Sequence, residues 1–271
     1  PMVNVINGGK HAEGASDFQE YMIVPSGLDS LNEQLQACSE IFHALKSELS
    51  RRHFQTTVGD EGGFAPKLDG GNQAVFELLL SSIEHAKYNA GKDILLGLDV
   101  AASEFYADKK YNLASENRIL QSHELSQYYG QLINDFPIFS IEDPFAENDF
   151  EAWEKFTTDY SSAIQIVGDD LLVTNPALIN ESIRLQRANS LLVKPNQVGT
   201  LTETIEATKL AKKAGWTTIM SHRSGETEDT TIAHLAVGLQ TDYIKSGSMS
   251  RSEQLAKYNE LLRISEQIND K

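Results

Sequence analysis

Cysteine is almost absent from this sequence, since Cys38 is the only one among 271 residues. A single thiol excludes an internal disulfide framework and is typical of a reducing compartment, so we expect a cytoplasmic protein. Cys38 lies on the apolar stripe of a predicted helix that Ser30 caps and that continues to Leu49. We therefore interpret this cysteine as a core residue and not as a nucleophile.

Positive charge is scarce as well. The chain has 23 lysines and arginines against 39 aspartates and glutamates, which gives a net charge of −16. This balance argues against a nucleic-acid partner, because such a partner requires a basic stripe on the protein surface. It leaves an anionic substrate open, because bound divalent cations can reverse the local sign of a site.

Long apolar runs are missing too. No run reaches the roughly 18 residues that a membrane span needs, so we expect no membrane partner. The first residues have neither the basic segment nor the long apolar segment of a secretory signal. The chain begins at Pro1 and enters a predicted strand at once. From this start we expect a domain excised from a longer protein, or a processed chain.

The rest of the sequence alternates short apolar runs with amphipathic helical patterns, which is typical of an α/β protein with a parallel sheet. Eight strands in about 250 residues predict a closed barrel of the TIM type. Its start is irregular, with two strands and two helices before six strand–helix units, or ββαα(βα)6, and the first two strands are expected to be antiparallel. We expect residues 1–271 to form one such barrel domain. The predicted strands cover residues 2–6, 18–24, 94–99, 138–142, 164–168, 190–194, 216–221 and 242–246.

Charged side chains follow the last six strands, and they are Asp99, Glu142, Asp169, Lys194, His222 with Arg223, and Lys245. Taken singly, each could be a surface charge at the end of a strand. In a barrel, however, the carboxyl ends of all strands meet at the face that carries the active site. The series therefore predicts one site built from many strands.

The first three of these side chains are acids and the later ones are cations. Three carboxylates close together repel one another, and a hard cation between them relieves this repulsion. Oxygen ligands favour Mg²⁺, Mn²⁺ or Ca²⁺ over zinc. A metal that faces a cationic wall suits an anionic substrate such as a phosphorylated carboxylate. Lys194 ends a buried strand, so we expect burial and the nearby metal charge to lower its pKa toward that of a usable base.

A glycine-rich loop over residues 56–71 contains a further candidate, Glu61. The glycines on both sides allow the backbone to approach a ligand closely. A flexible acidic turn is the alternative interpretation, and Asp60 is the competing acid in the same loop. His11 follows Gly8 and Gly9, and taken alone it is either a solvated loop histidine or a site residue.

Several segments of the sequence resemble those of one known family, the enolases (phosphopyruvate hydratases). The resemblance extends in unbroken order from residue 1 to about Ile264. It is carried by Asn7-Gly8-Gly9, Asp17-Phe18-Gln19-Glu20, Gly59-Asp60-Glu61-Gly62-Gly63, Leu98-Asp99-Val100, Ser140-Ile141-Glu142-Asp143-Pro144, Gly168-Asp169-Asp170, Lys194-Pro195-Asn196-Gln197, Ser221-His222-Arg223-Ser224-Gly225-Glu226-Thr227-Glu228-Asp229 and Ile244-Lys245-Ser246-Gly247.

This resemblance implies the interconversion of 2-phosphoglycerate with phosphoenolpyruvate and water, with two Mg²⁺ ions per site. It makes Lys194 the base at C2 and Glu61 the acid that protonates the departing hydroxide. The first Mg²⁺ would be held by Asp99, Glu142 and Asp169. The pairing of a lysine base with Mg²⁺ is a known property of this superfamily. The implied substrate-binding residues are His11, Gln19, Glu20, His222, Arg223, Ser224 and Lys245.

The sequence differs from the family pattern at its ends. Family members begin with an α+β domain, one loop of which closes over the substrate, and they end in a further C-terminal tail. Neither is present in residues 1–271, so we expect little activity from these residues alone, and a homodimer or larger homo-oligomer in the full-length form. Two alternatives remain, namely another dehydratase or racemase of the superfamily, and a non-catalytic protein-binding role.

Overall fold

The computed structural model describes residues 1–12 and 16–269, and its centre is an eight-stranded sheet. The strands of this sheet, in spatial order, are β1 (Val3–Asn7), β2 (Glu20–Val24), β3 (Leu95–Asp99), β7 (Ile138–Glu142), β8 (Gln165–Gly168), β9 (Ser190–Val193), β10 (Thr217–Ser221) and β11 (Tyr243–Lys245). The pair β1–β2 and the pair β2–β3 are antiparallel, and the pairs from β3 to β11 are parallel.

The sheet closes on itself between its first and last strands. The Met2 N–H donates to the Ile244 carbonyl at 2.8 Å, and the Asn4 N–H donates to the Gly247 carbonyl at 3.0 Å. Closure confirms the predicted TIM-type barrel, and the antiparallel pairing of β1 with β2 confirms the predicted start.

Helices cover the outside of the barrel in the order that ββαα(βα)6 requires. Within the described residues they are α1 (Leu31–Arg51), α2 (Gly71–His85), α3 (Ser122–Asp135), α4 (Phe150–Tyr160), α5 (Pro176–Leu185), the short α6 (Pro195–Val198), α7 (Leu201–Lys213), α8 (Thr231–Gly238) and α9 (Ser252–Asn269). None of the helices in this part of the chain combines the length and the apolar composition that a membrane crossing requires.

The start of α1 shows how local sequence sets a helix end. The Ser30 hydroxyl accepts from the Glu33 N–H at 3.2 Å, and the Glu33 carboxylate accepts from the Ser30 N–H at 3.1 Å. This capping box satisfies backbone donors that the first helical turn leaves free. Cys38, on the inner face of the same helix, is fully buried, which confirms its place in the core.

Two apolar clusters separate the inside of the barrel from its outer layer. The larger cluster fills the space between the sheet and the helices and includes Trp153 and Phe145. The smaller cluster fills the barrel itself and consists of Met2, Met22, Val24, Val167, Leu192 and Ile219. Full burial of such a side chain stabilises a fold by about 1.5–3 kcal/mol. The barrel interior is therefore packed mainly with apolar side chains.

A small antiparallel sheet, absent from the sequence-based prediction, lies between β3 and α3. It consists of β4 (Tyr106–Ala107), β5 (Lys110–Leu113) and β6 (Arg118–Leu120). Residues alternate between exposed and buried in β5, but strands of two to four residues are too short for such a pattern to predict a sheet. Tyr111 anchors the sheet, because its buried hydroxyl donates to Asp149 Oδ2 at 2.7 Å.

Candidate active site

The carboxyl ends of the barrel strands surround a cavity of about 160 Å³. Ten of the twelve predicted site residues line it, and they are Gln19, Glu20, Glu61, Asp99, Asp169, Lys194, His222, Arg223, Ser224 and Lys245. Glu142 lies beneath them, with a side chain that is almost fully buried. The side chain of His11 lies outside the described part of the structure. The strand-end residues therefore come together as predicted, while their individual roles stay predictions.

Lys245 is the centre of a buried ionic cluster with three acids. Its Nζ donates to Asp99 Oδ2 at 2.8 Å and to Glu142 Oε2 at 3.0 Å, and it lies 3.1 Å from Glu20 Oε1. The sheet register explains the cluster, because Glu20 pairs with Asp99, and Asp99 pairs with Glu142. Because β2 is antiparallel to β3, its first residue, Glu20, lies level with Asp99 and Glu142, the last residues of β3 and β7, and β11 brings the lysine to them.

Burial and charge shift the pKa values within this cluster in opposite directions. Burial disfavours the charged ammonium of Lys245, but Asp99, Glu142 and Glu20 outweigh burial and raise its pKa. Burial, followed by the charge of Asp99, raises the pKa of Glu142. For Asp99, burial opposes ionisation, yet Lys245 holds the pKa below its ordinary value. The cluster is therefore built around one cation and at least one firmly ionised acid.

Lys194 forms the second ion pair of the cavity. Its Nζ donates to Asp169 Oδ2 at 2.5 Å, while Gln197 Nε2 donates to Asp169 Oδ1 at 2.9 Å. Burial lowers the pKa of Lys194, but Asp169 and Glu142 raise it, and their effect is the larger one. The expected lowering of this pKa is therefore not produced by the protein groups, because two acids offset the cost of burial.

A second acidic group beside the predicted metal ligands could also hold a cation. Asp143, Asp169 and Asp170 can each offer one carboxylate oxygen, and these oxygens lie within 4.8 Å of one another. Asp143 is ordered by backbone donors, since its two oxygens accept from the N–H groups of Asp169 and Asp170 at 2.9 and 2.8 Å. Asp143 and Asp170 directly follow Glu142 and Asp169 in the segments that resemble the enolases, but neither was predicted as a site residue.

The donor set of the cavity fits a hard divalent cation. Asp99, Glu142 and Asp169 are more than nine-tenths buried, and all of them offer only oxygen. Buried carboxylates without sulfur or imidazole partners are the ligands that Mg²⁺ and similar ions prefer. Asp169 belongs both to this predicted triad and to the group with Asp143 and Asp170, so it is the acid that either arrangement requires.

Glu61 reaches the cavity from the glycine-rich loop and is nearly fully buried, whereas the side chain of Asp60 is 87% exposed. Ser224 Oγ donates to Glu61 Oε1 at 2.8 Å, and Asn4 Nδ2 donates to Glu61 Oε2 at 3.0 Å. Of the two acids considered in this loop, Glu61 is therefore the one that faces the site. Asn4 was missed, although a polar residue inside the apolar run of strand 1 was a usable signal.

Gly63 shows why this loop needs glycine. A Cβ atom at this position would lie 2.6 Å from Asn7 Oδ1 and 2.9 Å from Asn4 Oδ1. Contacts this short would displace the asparagine that holds Glu61. The Gly62 backbone has φ of 85°, which side chains rarely tolerate.

The segment after β10 carries the remaining predicted residues, His222, Arg223 and Ser224. Burial lowers the pKa of His222 to about 4, so the ring is neutral at pH 7. The backbone N–H of Arg223 donates to Glu226 Oε1 at 2.9 Å. Lys257 on α9 is fully buried and donates to Glu226 Oε2 at 2.7 Å. Lys257 gave no signal in the sequence, because a helical lysine is usually a solvated one.

A closed α/β barrel with paired lysines and acids at the carboxyl ends of its strands defines an acid–base enzyme of the barrel class. The family described as enolase, C-terminal TIM barrel domain, matches residues 1–271, the whole chain. The chain therefore belongs to this enolase family, and its chemistry is of the enolase-superfamily type.

Proposed function

We propose that this barrel catalyses the Mg²⁺-dependent, reversible dehydration of 2-phosphoglycerate to phosphoenolpyruvate. One observation carries the proposal: a single small cavity is lined by Lys194, by Glu61 and by the polar segment from His222 to Ser224. A lysine and a carboxyl group are a base and an acid, and dehydration requires one of each. Arg223 and Ser224 supply the donors that a phosphate group needs.

Binding would orient the substrate between these groups. The guanidinium of Arg223 and the hydroxyl of Ser224 would bind the phosphate, while Lys245 and His222 would face the other anionic and polar groups of the substrate. The packed interior of the barrel closes the cavity from below. Holding a reactant at fixed distance from an acid and a base removes much of the entropic part of the barrier.

The proposed reaction moves two protons. Lys194, as a neutral amine, takes the proton from C2, and the electron pair left behind forms the new double bond as the C3–oxygen bond breaks. Glu61 gives its proton to the departing hydroxide, which leaves as water. In the reverse direction Glu61 removes a proton from water and Lys194 returns one to C2.

Asp99, Glu142 and Asp169 would hold Mg²⁺, as the donor set of the cavity allows. When bound, the ion would supply positive charge against the charge that develops on the substrate carboxylate and would offset the acids that raise the pKa of Lys194. Lys194 keeps the position from which it takes the proton through its contact with Asp169.

The test is the growth of phosphoenolpyruvate absorbance from 2-phosphoglycerate, measured on the longest natural form of the protein that contains this chain. We expect turnover with Mg²⁺ and none after chelation. Lys194→Ala and Glu61→Gln should each lower kcat by about 100-fold or more, which is the size of a lost acid or base. Lys209→Ala, on the exposed face of α7, is the matched control.

Absence of turnover in a folded protein with bound Mg²⁺ would contradict the proposal. In that case dehydration or racemisation of an unphosphorylated sugar acid would assign the chain to another reaction of the superfamily.

A further inference from the structure

Gln254, on α9, lies behind the cavity and contacts His222. It is fully buried, and its Oε1 lies 2.9 Å from His222 Nδ1. His222 in turn lines the cavity, with Nε2 at 4.0 Å from Glu61 Oε1. Gln254 itself does not line the cavity, so any effect it has on the reaction must pass through the histidine.

The orientation of the Gln254 amide follows from its other neighbours. Its second polar atom, Nε2, lies 3.5 Å from the carbonyl oxygen of Asp60, a group that can only accept. The NH₂ end of the amide therefore faces Asp60, and the carbonyl end faces His222. The turn at Gly247 packs against the same amide, because a Cβ there would lie 2.6 Å from Gln254 Oε1.

A carbonyl oxygen that faces a ring nitrogen requires that nitrogen to carry the hydrogen. We propose, on the basis of the function proposed above, that Gln254 is a positioning residue that holds His222 as the Nδ1–H tautomer. The Nε2 atom then presents a lone pair toward Glu61. In this state His222 accepts a hydrogen bond from a protonated Glu61 or from a substrate hydroxyl, and it cannot donate one from Nε2.

The surroundings of His222 agree with a neutral ring. The charged groups that act on it are Glu61, Lys245 and Glu226, and Glu61 and Glu226 oppose Lys245 in sign. Burial disfavours the imidazolium most strongly of all. A neutral ring has one donor and one acceptor nitrogen, so the partner at Nδ1 decides what Nε2 can do.

Nitrogen-15 NMR of histidine-labelled protein tests this assignment directly. Long-range proton–nitrogen correlations distinguish the two neutral tautomers, and His222→Gln identifies the resonance of His222. We expect protonated Nδ1 and unprotonated Nε2 in the wild type at pH 7. A wild-type ring protonated at Nε2 alone would overturn the proposal. This measurement needs no variant of Gln254. It therefore tests the proposal even if Gln254 variants do not fold.

Gln254→Leu removes the acceptor and keeps most of the volume. We expect it to shift His222 toward the Nε2–H tautomer and to lower kcat on the order of 10-fold with little change in KM, since partners behind a site act at about this scale. Gln267→Leu, an exposed position on the same helix, is the control. An unchanged tautomer with full kcat in Gln254→Leu would contradict the proposal. The tautomer is measured without substrate. The result therefore tests the role of Gln254 even if the wild type does not turn over 2-phosphoglycerate.

Discussion

Lys257 anchors the loop that carries the proposed phosphate-binding residues, and Lys257→Met tests this anchor. The buried ammonium donates to Glu226 Oε2, and to the carbonyl oxygens of Thr227 and Glu253. Glu226 then accepts from the backbone N–H of Arg223 at 2.9 Å. Methionine retains the apolar stem and removes only the charge and its three donors.

The expected loss follows from the burial of the two partners. Breaking a buried ion pair by removing one member costs about 3–5 kcal/mol. The Glu226 side chain keeps 17% of its exposure and can recover some hydration, so we expect the lower end, about 3 kcal/mol of unfolding free energy. Because Arg223 is held through Glu226, we also expect phosphate affinity to fall about 10-fold, which corresponds to about 1.4 kcal/mol.

Urea unfolding and calorimetric titration with inorganic phosphate measure the two effects. Arg263→Met is the control, because Arg263 lies on the same helix in an exposed pair with Glu260 and should contribute at most about 1 kcal/mol. A loss below 1 kcal/mol in Lys257→Met, together with unchanged phosphate affinity, would refute the reasoning. It would mean that the loop holds its shape without the buried ion pair.

Three further predictions concern the metal, pH and the thiol. Titration with Mg²⁺ should show at least about 10-fold weaker binding in Asp99→Asn but unchanged binding in Asp170→Asn; the reverse result would assign the ion to the Asp170 group. The pKa of His222 is lowered from 6.5 to about 4, so the unfolded chain binds a proton that the folded protein excludes. Stability in urea should therefore fall by up to about 3 kcal/mol as pH drops from 6.5 to 4, and His222→Gln should flatten this decline. Burial raises the pKa of Cys38 to about 12, so a thiol reagent should react with it only after denaturation, and rapid native labelling would contradict its place in the core.

The barrel was predictable because its strands are buried on both faces. The run from Ile138 to Glu142 has the predicted bounds, since an apolar run with a charge at its end is visible without any tertiary knowledge. The small sheet around Tyr111 was not predictable, because its strands are short and partly exposed. Its position depends on a distant partner, Asp149, and such a contact leaves no local pattern.

The sequence predicted which residues line the candidate site better than it predicted which of them contact one another. The position of Lys245 after a strand predicted a cation that faces the substrate. The structure also gives this lysine three buried acids as partners, which the sequence did not predict. Which acids a lysine meets depends on the register of separate strands, and no single segment encodes that register. Gln254 was unpredictable for the same reason, because its partner His222 lies on another element.

The contact between Met2 and Lys245 joins the first strand to the last, nearly the whole chain apart. Lys245 is also the cation that Asp99 and Glu142 require. Pairings between distant segments form late, because much chain entropy must be lost before they are made. We expect Asp99 and Glu142 to form their ion pairs with Lys245 only when the barrel closes. Competence to bind substrate should therefore appear in the last phase of refolding, and ligand binding should report that the two ends of the barrel have met.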